Sequence, residues 1–188
     1  MTHNNPLQPW RVNKSEYVLS DRWLKVRADE CYTEEGVKIA PYYVLEYPDW
    51  VFMVVINEAK EVLITQQYRH GAGRILYELP AGTVEKEDKS PLETAKRELL
   101  EETGYQGDFN YIGPVFPNAA TYNNNLHVFL VKNPIKKKEP DDDPTEKLNF
   151  HFVPINDVWK MIESGEFNQA LHICSLVLGL RHLKYDYD

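Results

Sequence analysis

Apolar positions along the chain follow two periods, and the change between them marks the elements. Tyr17-Val18-Leu19, the alternating Trp23-Leu24-Lys25-Val26-Arg27 and, past a turn at Glu35-Gly36, Tyr42-Tyr43-Val44-Leu45 read as short strands. They predict an antiparallel meander over residues 16–47. Residues 1–15 are polar, contain Pro6 and Pro9, and read as irregular. Residues 50–56 (WVFMVVI) are almost wholly apolar, as in a strand covered on both faces. Asn57-Glu58-Ala59-Lys60 reads as a turn and residues 61–68 as the hairpin partner. Further strands are expected at Tyr111-Ile112, Val115-Phe116, 126–131 and 148–153, the last with clear alternation.

Between the strand runs the period changes to that of a helix. Ser90 and Glu93 form an S-x-x-E capping pattern with Pro91 at the first helical position. Leu92, Ala95 and Leu99 follow at i, i+3 and i+7 as an apolar face. A second helix is expected over 156–162, capped by Asn156-Asp157 and ended by Gly165, and an amphipathic one over 168–183. Residues 136–144 (KKKEPDDDP) read as a solvated, proline-bounded connection. No internal repeat is present. Strands, a helix, more strands and two helices give an α+β class built on a mixed-sheet sandwich.

The helix after Ser90 carries the chemistry. In Arg97-Glu98-Leu99-Leu100-Glu101-Glu102-Thr103-Gly104-Tyr105, a turn of about 100° per residue puts Glu98 and Glu102 nearly one above the other, with Glu101 in reach of both. Three adjacent carboxylates repel one another, and ordinary i,i+4 pairing on a solvated face is the bland alternative. A divalent cation explains the cluster better. Mg²⁺ prefers oxygen ligands and is commonly held by a few carboxylates together with substrate phosphates. Arg97 and Glu101 stand four apart and can pair, which would aim a glutamate.

With the upstream Glu78-Leu79-Pro80-Ala81-Gly82, this segment resembles the Nudix box, G-x5-E-x7-R-E-U-x-E-E-x-G-U, where U is bulky and apolar. Gly82, Arg97, Glu98, Leu99, Glu101, Glu102, Gly104 and Tyr105 fall on its fixed positions. One residue is extra between Gly82 and Arg97. Counting from Gly82 puts Asp88 at the first glutamate position, counting back from Arg97 puts Lys89 there, and Glu87 is a third candidate. A longer loop before a capped helix costs little, because closure entropy varies slowly with length.

The resemblance extends over roughly residues 45–183 and implies the Nudix α/β/α sandwich. Residues 1–47 would be an N-terminal appendage and 48–188 the hydrolase domain. The implied reaction is hydrolysis of a phosphoanhydride with Mg²⁺, for which Mn²⁺ is a possible substitute. Glu98 and Glu102 are then the primary metal ligands, Glu101 shares the cluster, and the Ala81 carbonyl is a further ligand. Arg97 orients the carboxylates, Arg69 is a candidate for a phosphate oxygen, and Gly82 permits a tight backbone path.

Three features resemble the ADP-ribose pyrophosphatase branch: the N-terminal meander, Gln67-Tyr68-Arg69, and Gly165-Glu166-Phe167-Asn168-Gln169-Ala170 before an apolar helix. Tyr68 also reads as a core residue and Gly165 as a plain helix cap. In that branch the meander helps form a homodimer whose chains share substrate binding, and a late-loop glutamate activates the water. Glu146 stands in the matching place, with Asp142 and Asp143 as runners-up. The proline usual beyond the box in this branch is missing, because Pro117 comes early and Ala120 occupies its place. Tyr122 stands where diadenosine-polyphosphate hydrolases carry a tyrosine. ADP-ribose leads as substrate, cleaved to AMP and ribose 5-phosphate. A nucleotide sugar such as GDP-mannose and a dinucleoside polyphosphate are alternatives. A non-catalytic nucleotide sensor would be expected to lack some of the box carboxylates, whereas Glu98, Glu101 and Glu102 are all kept here.

Composition narrows the partners. A net charge of −8 argues against binding nucleic acid through phosphate neutralisation, but not against a nucleotide held through a metal. Cys31 and Cys174 lack metal-ligand spacing and suit a reducing compartment. No apolar run reaches membrane-spanning length, and the polar start lacks a signal-peptide core, so a cytoplasmic protein without membrane contact is expected. His127 and His151 lie in apolar strands, where a histidine is more often hydrogen-bonded core than ligand. Trp50, Trp23 and Tyr17 are candidates for stacking on a base, with core or dimer packing the alternative for Trp50.

Overall fold

The computed structural model describes residues 6–141 and 147–183. Backbone contacts divide the chain into two compact units, Met1–Tyr47 with Phe116–Asn124, and Pro48–Val115 with Asn125–Asp188. Among the described residues there are ten strands and three helices.

The first unit is an antiparallel meander of β1 (Arg11–Ser20), β2 (Lys25–Tyr32) and β3 (Lys38–Glu46), in that spatial order. β1 starts at Arg11, inside the stretch expected to be irregular. Its first half is polar and carries no alternation, but Arg11 and Val12 pair with Tyr32 and Cys31, so the neighbouring strand supplies the order that local pattern lacks. The Asp21 carboxylate closes the turn into β2 by accepting from the amides of Trp23 and Leu24. Arg27 binds Asp29 in a two-pronged contact and also reaches Glu46. β1 is exposed along its whole length.

The second unit opens with β4 (Trp50–Ile56), β5 (Glu61–Arg69), β6 (Arg74–Glu78), β7 (Ala81–Thr83) and α1 (Pro91–Thr103). It continues with β8 (Tyr105–Val115), β9 (Leu126–Lys136), β10 (Leu148–Pro154), α2 (Ile155–Ser164) and α3 (Ala170–His182). Its seven strands run β10-β5-β4-β9-β8, with β6 on β5 and β7 on β4. The β4–β9 pair is parallel and the others are antiparallel, so the sheet is mixed. The two short strands expected near 111 and 115 belong to one bulged strand, β8.

β4 and β5 are a hairpin only at its base, where Ile56 faces Val62. Beyond that they part. β5 pairs with β6 from Thr65 to Arg69, and β4 pairs with β7 from Trp50 to Phe52. The chain crosses this gap through Leu79-Pro80, and the Pro80 carbonyl accepts from the Met53 amide. The hairpin expected from residues 61–68 is thus confined to the base of the two strands. Hydrophobic pattern identifies a strand but not which of two partners its far half takes.

β4 is covered on both faces, as its composition predicts. Val51, Met53 and Val55 pack with Ala95 and Leu99 of α1. Val54 and Ile56 pack with Ile155 and Val158 of α2, and with Phe167, Leu176 and Leu180 from the α3 region. Each buried side chain of this size contributes about 1.5–3 kcal/mol, and β4 fastens both helical layers. The result is the α/β/α sandwich. Among the described residues no helix is long and apolar enough to cross a membrane.

Candidate active site

α1 is set by its ends. Ser90 Oγ accepts from the Glu93 amide at 3.3 Å, as the capping pattern predicts. The reciprocal bond is displaced by one residue, because the Glu93 carboxylate takes the Lys89 amide. Gly104 ends the helix at φ 74°, and a side chain there would also strike the Lys138 carbonyl. The buried face is Thr94, Ala95, Leu99 and Thr103, with Leu92 at the exposed rim. Leu92 was expected inside. The covered face is carried by Ala95, Leu99 and Thr103, widened by Thr94 in the first turn.

The other side of α1 carries the carboxylates, and Arg97 organises them. Its Nη1 lies 3.0 Å from Glu98 Oε1 and 3.1 Å from Glu101 Oε2. Its Nε and Nη2 meet Asp88 at 3.3 and 3.0 Å. Asp88 also accepts from the Thr94 hydroxyl and the Glu85 amide. The Arg97 guanidinium, helped by these other donors, holds the Asp88 carboxyl down at about 2, and Asp88 in turn raises the pKa of Arg97. Of the candidates for the first acidic position of the box, Asp88 is the one that contacts Arg97, and Glu87 is exposed.

β7 meets α1 at Gly82. A Cβ added there would run into Cγ, Cδ and Oε1 of Glu98, so the Glu98 carboxylate lies directly on the backbone after Ala81. Glu102 is half-buried, with Oε2 shut off from solvent. Gly82 is thereby joined to Glu98, and Glu98 through Arg97 to Glu101, with Ala81 beside Gly82 in β7 and Glu102 one helical turn beyond Glu98. Among the described residues no three His, Cys, Asp or Glu side chains stand ready-grouped around a metal position, and Glu98 and Glu101 turn to Arg97. The donors are nonetheless all hard oxygens, and the glycine leaves the close approach a shared cation needs, so the chemistry of the set fits a divalent ion.

Arg69, at the end of β5, is fixed by a residue that had no assigned role. Glu78 is fully buried and accepts from Arg69 Nε (2.7 Å), Arg69 Nη2 (2.6 Å), Gln67 Nε2 (3.2 Å) and Gln169 Nε2 (2.6 Å). Burial alone would raise its pKa, but the Arg69 and Gln169 donors outweigh burial and hold it below the usual glutamate value. The Arg69 side chain is still 45% exposed. Next to this cluster His172 is buried, stacks on Phe52 with ring centroids 4.2 Å apart, and accepts the Leu79 amide on Nδ1 at 3.0 Å. Burial pulls its pKa down to about 4, which keeps the ring neutral and the acceptor open. A charge just ahead of Leu-Pro in an otherwise buried run was the available signal for Glu78. Nothing local marks Gln169 or His172.

Other expectations resolve simply. Tyr68 is 56% exposed rather than core, and its hydroxyl lies 3.3 Å from His70 Nδ1. His127 is hydrogen-bonded to Asp49 and Tyr111, as its place in a strand predicts, while His151 is exposed. Trp50 packs beside Phe52, Leu126 and Val128. Trp23 is exposed beneath the Arg22 guanidinium, and Tyr17 donates to Glu46. Tyr122 packs on Tyr47. Glu146, Asp142 and Asp143 lie outside the described residues. The stem leading to them is pinned to the end of α1 by the Lys137 amide on the Gly104 carbonyl and the Asp141 amide on the Glu101 carbonyl.

Residues 46–172 match the NUDIX domain family. The chain belongs to the Nudix family. With that family it is a pyrophosphohydrolase, and Nudix hydrolases generally use divalent metal ions. Residues 10–45 match the nucleoside diphosphate sugar hydrolase N-terminal domain. The chain is 27% identical to the ADP-ribose pyrophosphatase of Bacillus subtilis (strain 168), covering 82% of this chain and 84% of that one. It is 26% identical to the ADP-ribose pyrophosphatase of Mycobacterium tuberculosis (strain ATCC 25618 / H37Rv), with 76% and 70% covered. The fold matches that of the solved structure of an ADP compounds hydrolase with a TM-score of 0.83 at 21% identity, over 96% of this chain and 97% of that one.

Proposed function

We propose that this Nudix enzyme hydrolyses a nucleoside diphosphate joined to a second group, with ADP-ribose the first candidate and AMP and ribose 5-phosphate the products. The observation that carries the reading is the Arg97 cluster against Gly82, an oxygen-only donor set beside an orienting guanidinium. The names of the Bacillus and Mycobacterium relatives favour ADP-ribose, and the match at residues 10–45 keeps a nucleotide sugar as the second substrate to test.

Glu98 and Glu102, with Glu101 and the Ala81 carbonyl, would hold the metal. Mg²⁺ is the ion proposed, and when bound it supplies charge neutralisation on the pyrophosphate. Arg97 aims Glu98 and Glu101. Arg69, its fork braced by Glu78, presents positive charge to a phosphate oxygen. Water attacks one phosphorus, the bridging P–O bond breaks, and the water proton passes to a carboxylate. We assign that base to Glu146, which follows in sequence the segment that Lys137 and Asp141 fasten to α1. We also propose that residues 1–47 form the dimerisation and substrate-binding appendage and residues 48–188 the hydrolase domain, in a cytoplasmic homodimer.

The test is incubation with Mg²⁺ and ADP-ribose, GDP-mannose, NADH, diadenosine polyphosphates or nucleoside triphosphates, with products identified. Cleavage of ADP-ribose to AMP and ribose 5-phosphate, reduced by orders of magnitude in folded Glu102→Gln, is expected. Normal turnover by Glu102→Gln would sink the metal assignment, and cleavage of another compound alone would reassign the pocket.

A further inference from the structure

The buried brace behind Arg69 reaches across to the opposite helical layer. Glu78 ends β6, Arg69 ends β5, and Gln169 stands immediately before α3, yet Gln169 Nε2 meets Glu78 Oε1 at 2.6 Å. This oxygen also takes Arg69 Nε at 2.7 Å. Gln67 and Arg69 share Oε2. Both oxygens of one fully buried carboxylate are thereby committed, and the guanidinium has one geometry in which both its prongs are satisfied. A buried carboxylate that loses a donor must reorient or take on another. Removing Gln169 Nε2 would let Glu78 rotate and carry the Arg69 fork with it.

Three residues further along, His172 holds the other half of the same turn. Leu79 lies between β6 and β7, where the backbone leaves one strand pair for another. The His172 ring accepts its amide and stacks on Phe52, the register partner of Ala81. The start of α3 therefore grips the Glu78-Leu79 turn at two adjacent points.

We propose that Gln169 is a positioning residue for substrate binding, acting through Glu78 to hold the Arg69 guanidinium on the substrate's phosphate. The inference rests on the proposed role of Arg69 as a phosphate contact. Gln169 touches no substrate itself. Its loss is felt as weaker substrate capture rather than slower chemistry.

Gln169→Met keeps the length of the side chain and removes the donor, while Gln169→Glu sets a second carboxylate against Glu78. Each is compared with the intact protein in steady-state hydrolysis of ADP-ribose, in calorimetric binding of ADP-ribose in EDTA, and in thermal unfolding. Loss of one charge-assisted hydrogen bond predicts KM and Kd raised about tenfold in Gln169→Met, with kcat within about twofold. Gln169→Glu should lose more. In an Arg69→Ala background, adding Gln169→Met should change Kd no further, because the residue through which it acts is gone. An unchanged Kd in folded Gln169→Met, or an equal loss in the Arg69→Ala background, overturns the inference alone. If Arg69→Ala binds ADP-ribose as tightly as the intact protein, the reading it rests on fails and the inference goes with it.

Discussion

Asp88 and Arg97 form a two-pronged contact, Nε to Oδ1 at 3.3 Å and Nη2 to Oδ2 at 3.0 Å, that joins the loop after β7 to the carboxylate-bearing face of α1. Arg97 also faces Glu98 and Glu101, so Asp88 determines which way the remaining nitrogen points. Asp88→Ala should lower kcat/KM by about tenfold or more, since a misplaced orienting group costs rate steeply. It should destabilise the fold by about 1–2 kcal/mol, the low side of the range for charge-assisted bonds because Arg97 is partly exposed. Glu87→Ala, one residue away and exposed, should change neither. Kinetics and urea unfolding of the two variants decide the point, and equal effects would deny Asp88 an orienting role.

Gly82→Ala tests whether the approach of β7 to α1 matters for chemistry. The added Cβ meets the Glu98 side chain, a flexible group that swings aside more cheaply than backbone does. The stability loss should therefore stay near the low end of the about 1–3 kcal/mol typical of overpacking. Turnover should drop about a hundredfold, because Glu98 cannot swing aside and still serve. A folded Gly82→Ala with normal activity would remove Glu98 from the metal site.

Much of this site was legible in the sequence because its parts lie close along the chain. Ser90, Arg97, the glutamates and Gly104 belong to one helix, and helical spacing alone places them. The position of Asp88 required the loop path, which a count of residues leaves open three ways. Glu78, Gln169 and His172 required tertiary structure, since the Glu78–Gln169 contact spans 91 positions. The fold shows the same division. The composition of β4 announced two covered faces, while the parting of β4 from β5 is a choice between partners that no local pattern encodes. β1 was missed where its residues are polar and its order comes from β2.

The exposed apolar residues of β1 support a prediction about assembly. Val12, Tyr17, Val18 and Leu19 are each about half exposed on one strand. A stable interface of standard size buries about 1,200–2,000 Å², and a second copy of this chain is the proposed occupant. Sedimentation at micromolar concentration should give a dimer, and Val18→Glu should shift it toward monomer by desolvating a charge at the interface. A monomeric intact protein would defeat both the dimer and any shared site.

His172 gives the fold a pH dependence whose sign follows from its burial. Its pKa falls from the usual 6.5 to about 4 in the folded protein, so between those values the unfolded chain binds a proton that the native ring excludes. Stability from this group is complete above about pH 6.5 and is lost progressively as pH falls toward about 4, at up to about 1.4 kcal/mol per pH unit and about 3 kcal/mol in all. Glu78 and Asp88, whose pKa values are lowered, contribute their own losses only below the ordinary carboxylate range, so the window from pH 6.5 to 5 favours the histidine. In His172→Asn the side-chain oxygen can stand where Nδ1 now accepts the Leu79 amide, and no proton is taken up. That variant should lose the stacking on Phe52 and some stability at pH 7, yet show a flatter dependence between pH 6.5 and 5. Urea unfolding at pH 7.0, 6.0 and 5.0 measures both slopes, and parallel slopes for the two proteins would show that the burial of His172 does not control this titration.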